Sequence, residues 1–387
     1  MTQSFNDIND YIKDEDVKFL RLSFCNLQGK LKNMSVMASE AEMAYVKGVS
    51  FDGSAIRNFE SPDKSDLFLF PDTSTATLIP WNPSRGKVLR LFCNIKHADG
   101  SAYELDMRKV LKDAVRFAEE RGISCNFGSE FEFYLFKLDE NGDRTNVPYD
   151  SAAYMDVSPE DKCENVRREI CLTIEEMGLN PERSHHEEGP GQNEIDFKYS
   201  DPISSADHAV VFKNAAENVA YKNGLWADFS PKPLKNQSGS GMHVNVSVKT
   251  ADGKDVFESF VAGVLEKTDE MTYFFNPTEN SYERLGEMKA PKETFCGSEN
   301  RTALIRIPST NGEKRFELRS PDASANIYLV YALVIYAGVY GVENNLKLNK
   351  IKKSCLPNNL DQARKVAGKS KFIKSVLSGR VLKSFGL

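Results

Sequence analysis

What the chain lacks excludes several functional classes. Its seven cysteines are scattered singly with no C-x-x-C pair, which fits a reducing cytosol better than a disulfide framework. No long basic run lies near an aromatic cluster, and a net charge of −6 with a pI near 5.6 argues against a nucleic-acid partner. The stretch Met1 to Asp14 is polar and carries no secretory apolar region. Ile327 to Val342 is apolar but short for a bilayer span, and Gly338 and Gly341 interrupt it. It reads as a buried helix. No internal repeat or low-complexity tract is present. These absences point to a cytoplasmic protein with neither membrane nor nucleic acid as partner.

What remains is a chain of 387 residues, long enough for a sizeable core and two domains. Val17 to Leu91 reads as short strands broken by turns, including Leu20 to Phe24 and Ala76 to Ile79. An amphipathic helix follows from about Leu105 to Glu120, stopped by Gly122. The boundary is placed before that helix, giving domains of residues 1–102 and 103–387. Further helices are expected over Pro159 to Met177 and Ser205 to Lys222. Composition and pattern alone give an α+β protein of two domains.

Four stretches alternate polar with apolar residues in the manner of strands that converge on cations. They are Ser129 to Phe133 (SEFEF), His185 to Glu194 (HHEEGPGQNE), Gly241 to Ser247 (GMHVNVS) and Arg315 to Arg319 (RFELR). Residues two apart on a strand point the same way, roughly 7 Å from each other. Glu130 and Glu132 therefore share one face and Phe131 and Phe133 the other. The same rule groups His243, Asn245 and Ser247, and groups Arg315, Glu317 and Arg319. An ordinary solvated sheet face also carries Glu at alternate positions, and a lone histidine between valines is commonly a core residue. Joint occurrence of all four stretches is what points to a site. Gathering carboxylates on half-buried strands costs several kcal/mol each by order of magnitude unless cations offset it. Carboxylates with one imidazole suit Mg²⁺ or Mn²⁺ better than zinc, and the arginines suit phosphate.

Taken together, these stretches resemble the glutamine synthetase family. The likeness extends from about Val17 to the C-terminal helices, through Phe51 to Ser54 (FDGS), Ser65 to Asp72, Pro231 to Leu234, Asn300-Arg301, Arg306 to Pro308 and Ser320 to Asn326. The resemblance implies a β-grasp-like N-terminal domain followed by a catalytic domain with a curved antiparallel sheet and flanking helices. It implies ATP-dependent amide formation from L-glutamate and ammonium through a γ-glutamyl phosphate. Two or more Mg²⁺ or Mn²⁺ ions per site are implied, with Glu132, Glu187 and Glu194 on the first and Glu130, His243 and Glu317 on the second. Arg301 matches the arginine on the transferring phosphoryl group. Arg306 and Arg315, with Glu182, Tyr199, Asn245 and Ser247, match nucleotide contacts. Arg284, Arg319 and Gly239 match glutamate contacts, and Asp52, Tyr154 and Glu187 the ammonium pocket, where Asp52 accepts a proton. In the family Asp52 would come from a neighbouring subunit, implying a ring-shaped homo-oligomer, hexamer or dodecamer, with sites between subunits.

Several positions depart from the family pattern. Lys289 stands where the flap commonly has Glu, Ser238 where the glutamate-binding turn has Asn, and Ala55 where a serine follows Asp52. Glu299 replaces an arginine, and Asn245 replaces a histidine as in the eukaryotic type. The loop carrying the adenylylated tyrosine has no counterpart, and the chain stops at Leu387, before the segment that commonly joins opposite rings. The pattern leaves three readings: a glutamine synthetase, a γ-glutamyl ligase using another amine that would pair with a cationic flap, or a non-catalytic paralogue.

Overall fold

The computed structural model describes residues 5–81, 86–309 and 314–387. Two sheets organise them. The first contains β1 (Val17–Cys25), β2 (Leu31–Met37), β3 (Val49–Asp52), β4 (Asp66–Pro71), β5 (Thr77–Leu78) and β6 (Lys87–Lys96). Its order is β2-β1-β6-β4-β3, with β5 alongside β6. β1 and β6 run parallel, and the other pairs antiparallel. Two helices that the strand pattern concealed accompany it, α1 (Phe5–Asp14) and α2 (Ala41–Lys47). α1 buries Ile8 and Ile12, an i,i+4 pair on one face.

The second sheet comprises β7 (Ile123–Leu138), β8 (Arg144–Pro148), β9 (Pro181–His186), β10 (Gln192–Phe197), β11 (Leu225–Asp228), β12 (Met242–Thr250), β13 (Cys296–Ser298), β14 (Ile305–Ile307) and β15 (Phe316–Leu318). The order is β13-β14-β15-β12-β7-β10-β9, and β8 and β11 also pair with β7. All pairs are antiparallel except β13 with β14. Around it lie α3 (Met107–Glu119), α4 (Glu164–Glu176), α5 (Pro202–Lys222), α6 (Phe257–Phe275), α7 (Glu279–Arg284), α8 (Ile327–Glu343), α9 (Leu360–Lys369), α10 (Lys371–Val376) and α11 (Gly379–Ser384). The α+β class, with a small β-rich unit followed by a larger, mostly antiparallel sheet flanked by helices, is the expected one.

Period two holds in the centre of this sheet. Phe131 and Phe133 are buried against Phe212 and Phe229, with ring centroids 5.3 Å apart for Phe131–Phe212 and 5.2 Å for Phe133–Phe229. Glu130 and Glu132 are thereby turned to the opposite face. α8 is buried almost all round, as its apolar sequence implies. It meets α6 where two glycines face each other: a Cβ on Gly341 would lie 2.7 Å from Gly263 Cα, so neither position has room for a side chain. No described helix is long and apolar enough to cross a membrane.

Two helix starts differ from the sequence expectation. α4 begins at Glu164 rather than Pro159, because the Asp161 carboxylate accepts the Cys163 N–H at 2.9 Å and the Arg167 guanidinium at 3.1 Å, holding a turn before the helix. α5 begins at Pro202, three residues early, with Asp201 accepting the N–H groups of Ile203 and Ser204 at 3.1 Å and proline in the first turn.

A buried guanidinium bridges the two sheet regions. Arg108 on α3 donates to Asp207 on α5 at 2.9 and 3.0 Å, and to Asp72 and Asn94 of the small-sheet region at 2.9 and 3.2 Å. Asn326, which caps α8, donates to the Asn26 and Leu27 carbonyls at 3.2 and 3.1 Å.

Candidate active site

β9, β10, β7 and β12 form the floor of a cavity of about 480 Å³, which Arg315 and Arg319 reach from either end of the adjoining β15. Strand register places like charges directly opposite one another. Glu194 faces Glu132, and Asp196 faces Glu130. Such pairs are unfavourable on a sheet, and here the other face is packed with aromatic rings. Burial pushes the Glu194 carboxyl well above the ordinary carboxylate range, and the neighbouring Asp196, Glu132, Glu130 and Glu187 push it further. Asp196 is pushed up to about 6 by burial and by Glu130, against the opposing pull of Arg183. Glu130 goes the other way: burial raises it, but the neighbouring His243 and the bond from Asn245 outweigh burial and hold it low.

His243 sits centrally. Its Nδ1 lies 3.6 Å from Glu130 and 3.5 Å from Glu317, and its Nε2 lies 3.9 Å from Glu132. Glu130, His243 and Glu317 each present one ligand atom within 4.8 Å of the others, as do Glu132, Glu194 and His243, and also His185, Glu187 and Glu194. The set proposed from sequence for the second cation thus forms one cluster. The first-cation set spans two clusters that share Glu194. Carboxylate oxygen with imidazole, in a field that raises the Glu194 and Asp196 pKa values, is a donor set that fits divalent cations.

Glu187 is set by two neighbours. Its carboxylate accepts from the Glu188 N–H at 3.0 Å and lies 2.9 Å from His185 Nε2. Its carbonyl accepts from His186 Nδ1 at 2.7 Å, while His186 Nε2 meets the buried Asp150 at 3.0 Å. Asp150, Asp161, Cys163 and His186 make a second cluster of ligand-type residues. Its groups are already satisfied within the chain, by Arg167 on Asp161 and by the Ala152, Lys162 and Gly191 N–H groups on Asp150. It holds Glu187 in place.

Arginines wall the cavity: Arg284, Arg301, Arg306, Arg315 and Arg319 all line it, as do Tyr154 and Gly239. Arg319 Nε and Arg306 bind the two oxygens of Glu317, which is buried behind the lining. The Nε atoms of Arg306 and Arg315 are buried without a partner among the described residues. Arg284 donates to the Ser320 and Arg319 carbonyls at 2.9 and 3.0 Å, and burial pushes its pKa down. The glycines of the Gly-rich turn leave room for it: a Cβ on Gly239 would lie 2.8 Å from Arg284 Cγ, and one on Gly241 2.5 Å from its guanidinium.

Not every residue singled out from sequence reaches the cavity. Glu130, Glu132, Glu187, Glu194 and His243 line it. Asn245 stands just behind, donating to Glu130 at 2.8 Å. Glu182 is exposed on β9, and Tyr199 is 60% exposed beside Gly128. Ser247 lies four residues along β12 from His243, roughly 13 Å at strand spacing. Asp52, at the end of β3, is exposed and bonds its own turn through the Ser54 N–H and hydroxyl at 2.8 and 2.6 Å. Those bonds lower its pKa.

Sequence reasoning passed over Asp196, Arg183 and Glu188, all of which line the cavity. Asp196 follows Glu194 at strand period and was findable by the same rule. Glu188 was hidden, because its partner is distant. Lys289 Nζ bonds Glu188, so the flap lysine is not a free cation. That bond, ahead of an opposing burial effect, lowers the Glu188 pKa.

A half-buried carboxylate floor facing a guanidinium wall defines a site for divalent cations and phosphate. The comparisons give this class a family. A model described as the glutamine synthetase β-grasp domain matches residues 16–98, and one described as the glutamine synthetase catalytic domain matches residues 104–386. The glutamine synthetase of Clostridium saccharobutylicum is 43% identical over 356 residues, 88% of this chain and 80% of that protein. That of Methanosarcina mazei is 41% identical over 355 residues, 88% and 79% of the two chains. The solved GmaS/ADP complex has a TM-score of 0.88 at 27% identity, covering 100% of this chain and 94% of that one. Plasmodium falciparum glutamine synthetase shares the fold, with a TM-score of 0.90 at 22% identity over 99% and 94% of the chains. The chain belongs to the glutamine synthetase family.

Proposed function

We propose that this chain is an ATP-dependent glutamate–ammonia ligase that works through a γ-glutamyl phosphate and uses Mg²⁺ or Mn²⁺. The observation that carries this reading is the register of β7 and β10, which sets Glu132 against Glu194 and Glu130 against Asp196 on a half-buried face. A divalent cation turns that repulsion into attraction. Glu132, Glu187 and Glu194 would hold one cation and Glu130, His243 and Glu317 the other. The bound cations supply charge neutralisation for the phosphoryl group and its acceptor. Arg301 faces the transferring phosphoryl group, and Arg306 and Arg315 the nucleotide phosphates, with Asn245, Ser247, Tyr199 and Glu182 further along the nucleotide. Arg319, Gly239 and the remaining N–H groups of Arg284 orient glutamate. Its γ-carboxylate oxygen attacks the γ-phosphorus and ADP leaves; ammonia then attacks the acyl carbon and phosphate leaves. Tyr154 and Glu187 border the ammonium position, and Asp52 takes the proton.

Asp52 lies outside the cavity of its own chain, so in this reading it completes the site of a neighbouring copy in a ring, hexamer or dodecamer. Residues 1–102 form the β-grasp-like unit and residues 103–387 the catalytic one, and the free cysteines suit the cytoplasm. Lys289 motivated a different amine, but its charge is taken by Glu188, so ammonium stands as the amine.

The test is phosphate release and glutamine formation from ATP, Mg²⁺ and L-glutamate, comparing ammonium with hydroxylamine and a panel of small amines. Strong ammonium stimulation is expected; silence with every amine sinks the reading, and response to another amine alone makes the protein a different γ-glutamyl ligase. For the shared site, inactive Asp52→Ala and Arg301→Ala variants should recover about a quarter of parental activity when dissociated and reassembled together, as random mixing around a ring gives. No recovery would place Asp52 outside the site.

A further inference from the structure

Two of the positions that depart from the family pattern meet on one side chain. Lys289 and Ser238 both line the cavity but belong to separate segments, the loop between α7 and β13 and the Gly-rich turn before β12, and the half-exposed Lys289 and Glu188 side chains mark its solvent-facing mouth. Glu188 accepts from both, through one carboxylate oxygen from Lys289 Nζ and through the other from Ser238 Oγ at 3.2 Å. Its own N–H holds Glu187 at 3.0 Å. On the far side, the Lys289 carbonyl accepts from Arg319 at 3.1 Å. The loop is therefore tied at residue 289 twice, by side chain to the β9–β10 turn and by main chain to the arginine wall.

We infer that Glu188 and Lys289 form a latch across the mouth of the cavity, and that the pair, rather than either charge alone, couples ATP consumption to amide formation. This rests on the ligase reading for its chemical consequence, not for its geometry. With side chains 35% and 55% exposed, the pair adds little to folding stability. Its position gives it a different task. The mouth it spans leads to the acyl carbon, where ammonia must be admitted and water kept out. When the loop opens, water attacks that carbon: a new C–O bond forms, the C–O bond to phosphate breaks, and glutamate, inorganic phosphate and a proton are released with ATP spent. Glu188 and Lys289 are positioning residues, since neither needs to touch a reacting atom.

The experiment compares the parent with Lys289→Glu, Lys289→Met, Glu188→Gln and the exchanged pair Glu188→Lys/Lys289→Glu. Two quantities are read on the full-length protein: the ratio of phosphate released to glutamine formed, and the hydrogen exchange of residues 285–295. Lys289→Glu sets two carboxylates together and should raise the ratio about threefold and speed exchange in the loop, with smaller effects from the two neutral variants. The exchanged pair should return both toward parental values. If the parent makes no glutamine while loop exchange still rises and is restored by the exchange of charges, the latch stands and the ligase reading falls. If all variants match the parent in both quantities, or if the exchanged pair restores neither, the latch is overturned.

Discussion

Two regions of buried charge in this molecule follow opposite logic. At the junction of the two sheets, Arg108 is enclosed by Asp207 and Asp72, each at 2.9 Å, and Lys112 lies 3.4 Å from Asp72, so anions and cations are matched within the chain. Burial disfavours the Arg108 charge, but those carboxylates outweigh it and hold its pKa up. In the groove, Glu132 faces Glu194 and Glu130 faces Asp196, and burial and repulsion drive the Glu194 and Asp196 pKa values up. The junction is complete as folded. In the proposed reading a cation from outside would complete the groove, and that difference separates a structural charge cluster from a candidate binding site.

The comparison breaks most sharply if charge is removed from each side in turn. Arg108→Met should lower unfolding free energy by about 3–5 kcal/mol, because the buried Asp207 loses its cationic partner and the partly buried Asp72 is left with Lys112 alone; urea denaturation measures it. Glu194→Gln should do the reverse in metal-free protein, raising stability, as expected for relief of a carboxyl whose pKa burial and neighbouring carboxylates push up, while turnover is lost. Equal signs for the two variants would end the distinction.

Acidity sharpens it further. Asp196, at about 6, and Glu194 lie above the ordinary carboxylate value of about 4, so between those pH values folded metal-free protein holds more protons than the unfolded chain. The Asp196 contribution therefore falls as pH rises from about 4 through about 6, and the Glu194 contribution falls in the same sense as pH rises above about 4. Asp72 behaves oppositely: burial raises it, but Arg108 and Ser74 outweigh burial and hold it at about 2. Its contribution is present above pH about 4 and is lost as pH falls toward 2. Melting temperature against pH, with and without Mg²⁺, should show the metal increment growing between pH 5 and 7; an increment independent of pH there would contradict the groove assignment. At the small end, Lys314→Gln breaks an ion pair whose side chains are 68% and 63% exposed. Stability should change by less than about 0.5 kcal/mol.

Much of the groove was legible from local spacing. Glu130, Glu132 and His243 follow from period two on strands with buried Phe131 and Val244, and Arg315, Glu317 and Arg319 from the same rule. The apolar run at Ile327 announced α8. Asp196 was present in the same pattern and overlooked. Arg108, Glu188 and the exposed position of Asp52 were not legible, because each depends on a partner far away in the chain: Asp207 for Arg108, 99 residues on, and Lys289 for Glu188, 101 residues on.

By itself the sequence determined which side chains of each strand share a face, Glu130 with Glu132 and Arg315 with Glu317 and Arg319, and what chemistry they bring, since side-chain direction on a strand depends only on neighbours one and two positions away. Tertiary structure decided that Glu194 stands against Glu132, that Lys289 is neutralised by Glu188 and that Asp52 stays outside its own cavity. Those facts depend on strand register and loop packing, where the energy lies between segments and no local pattern records it.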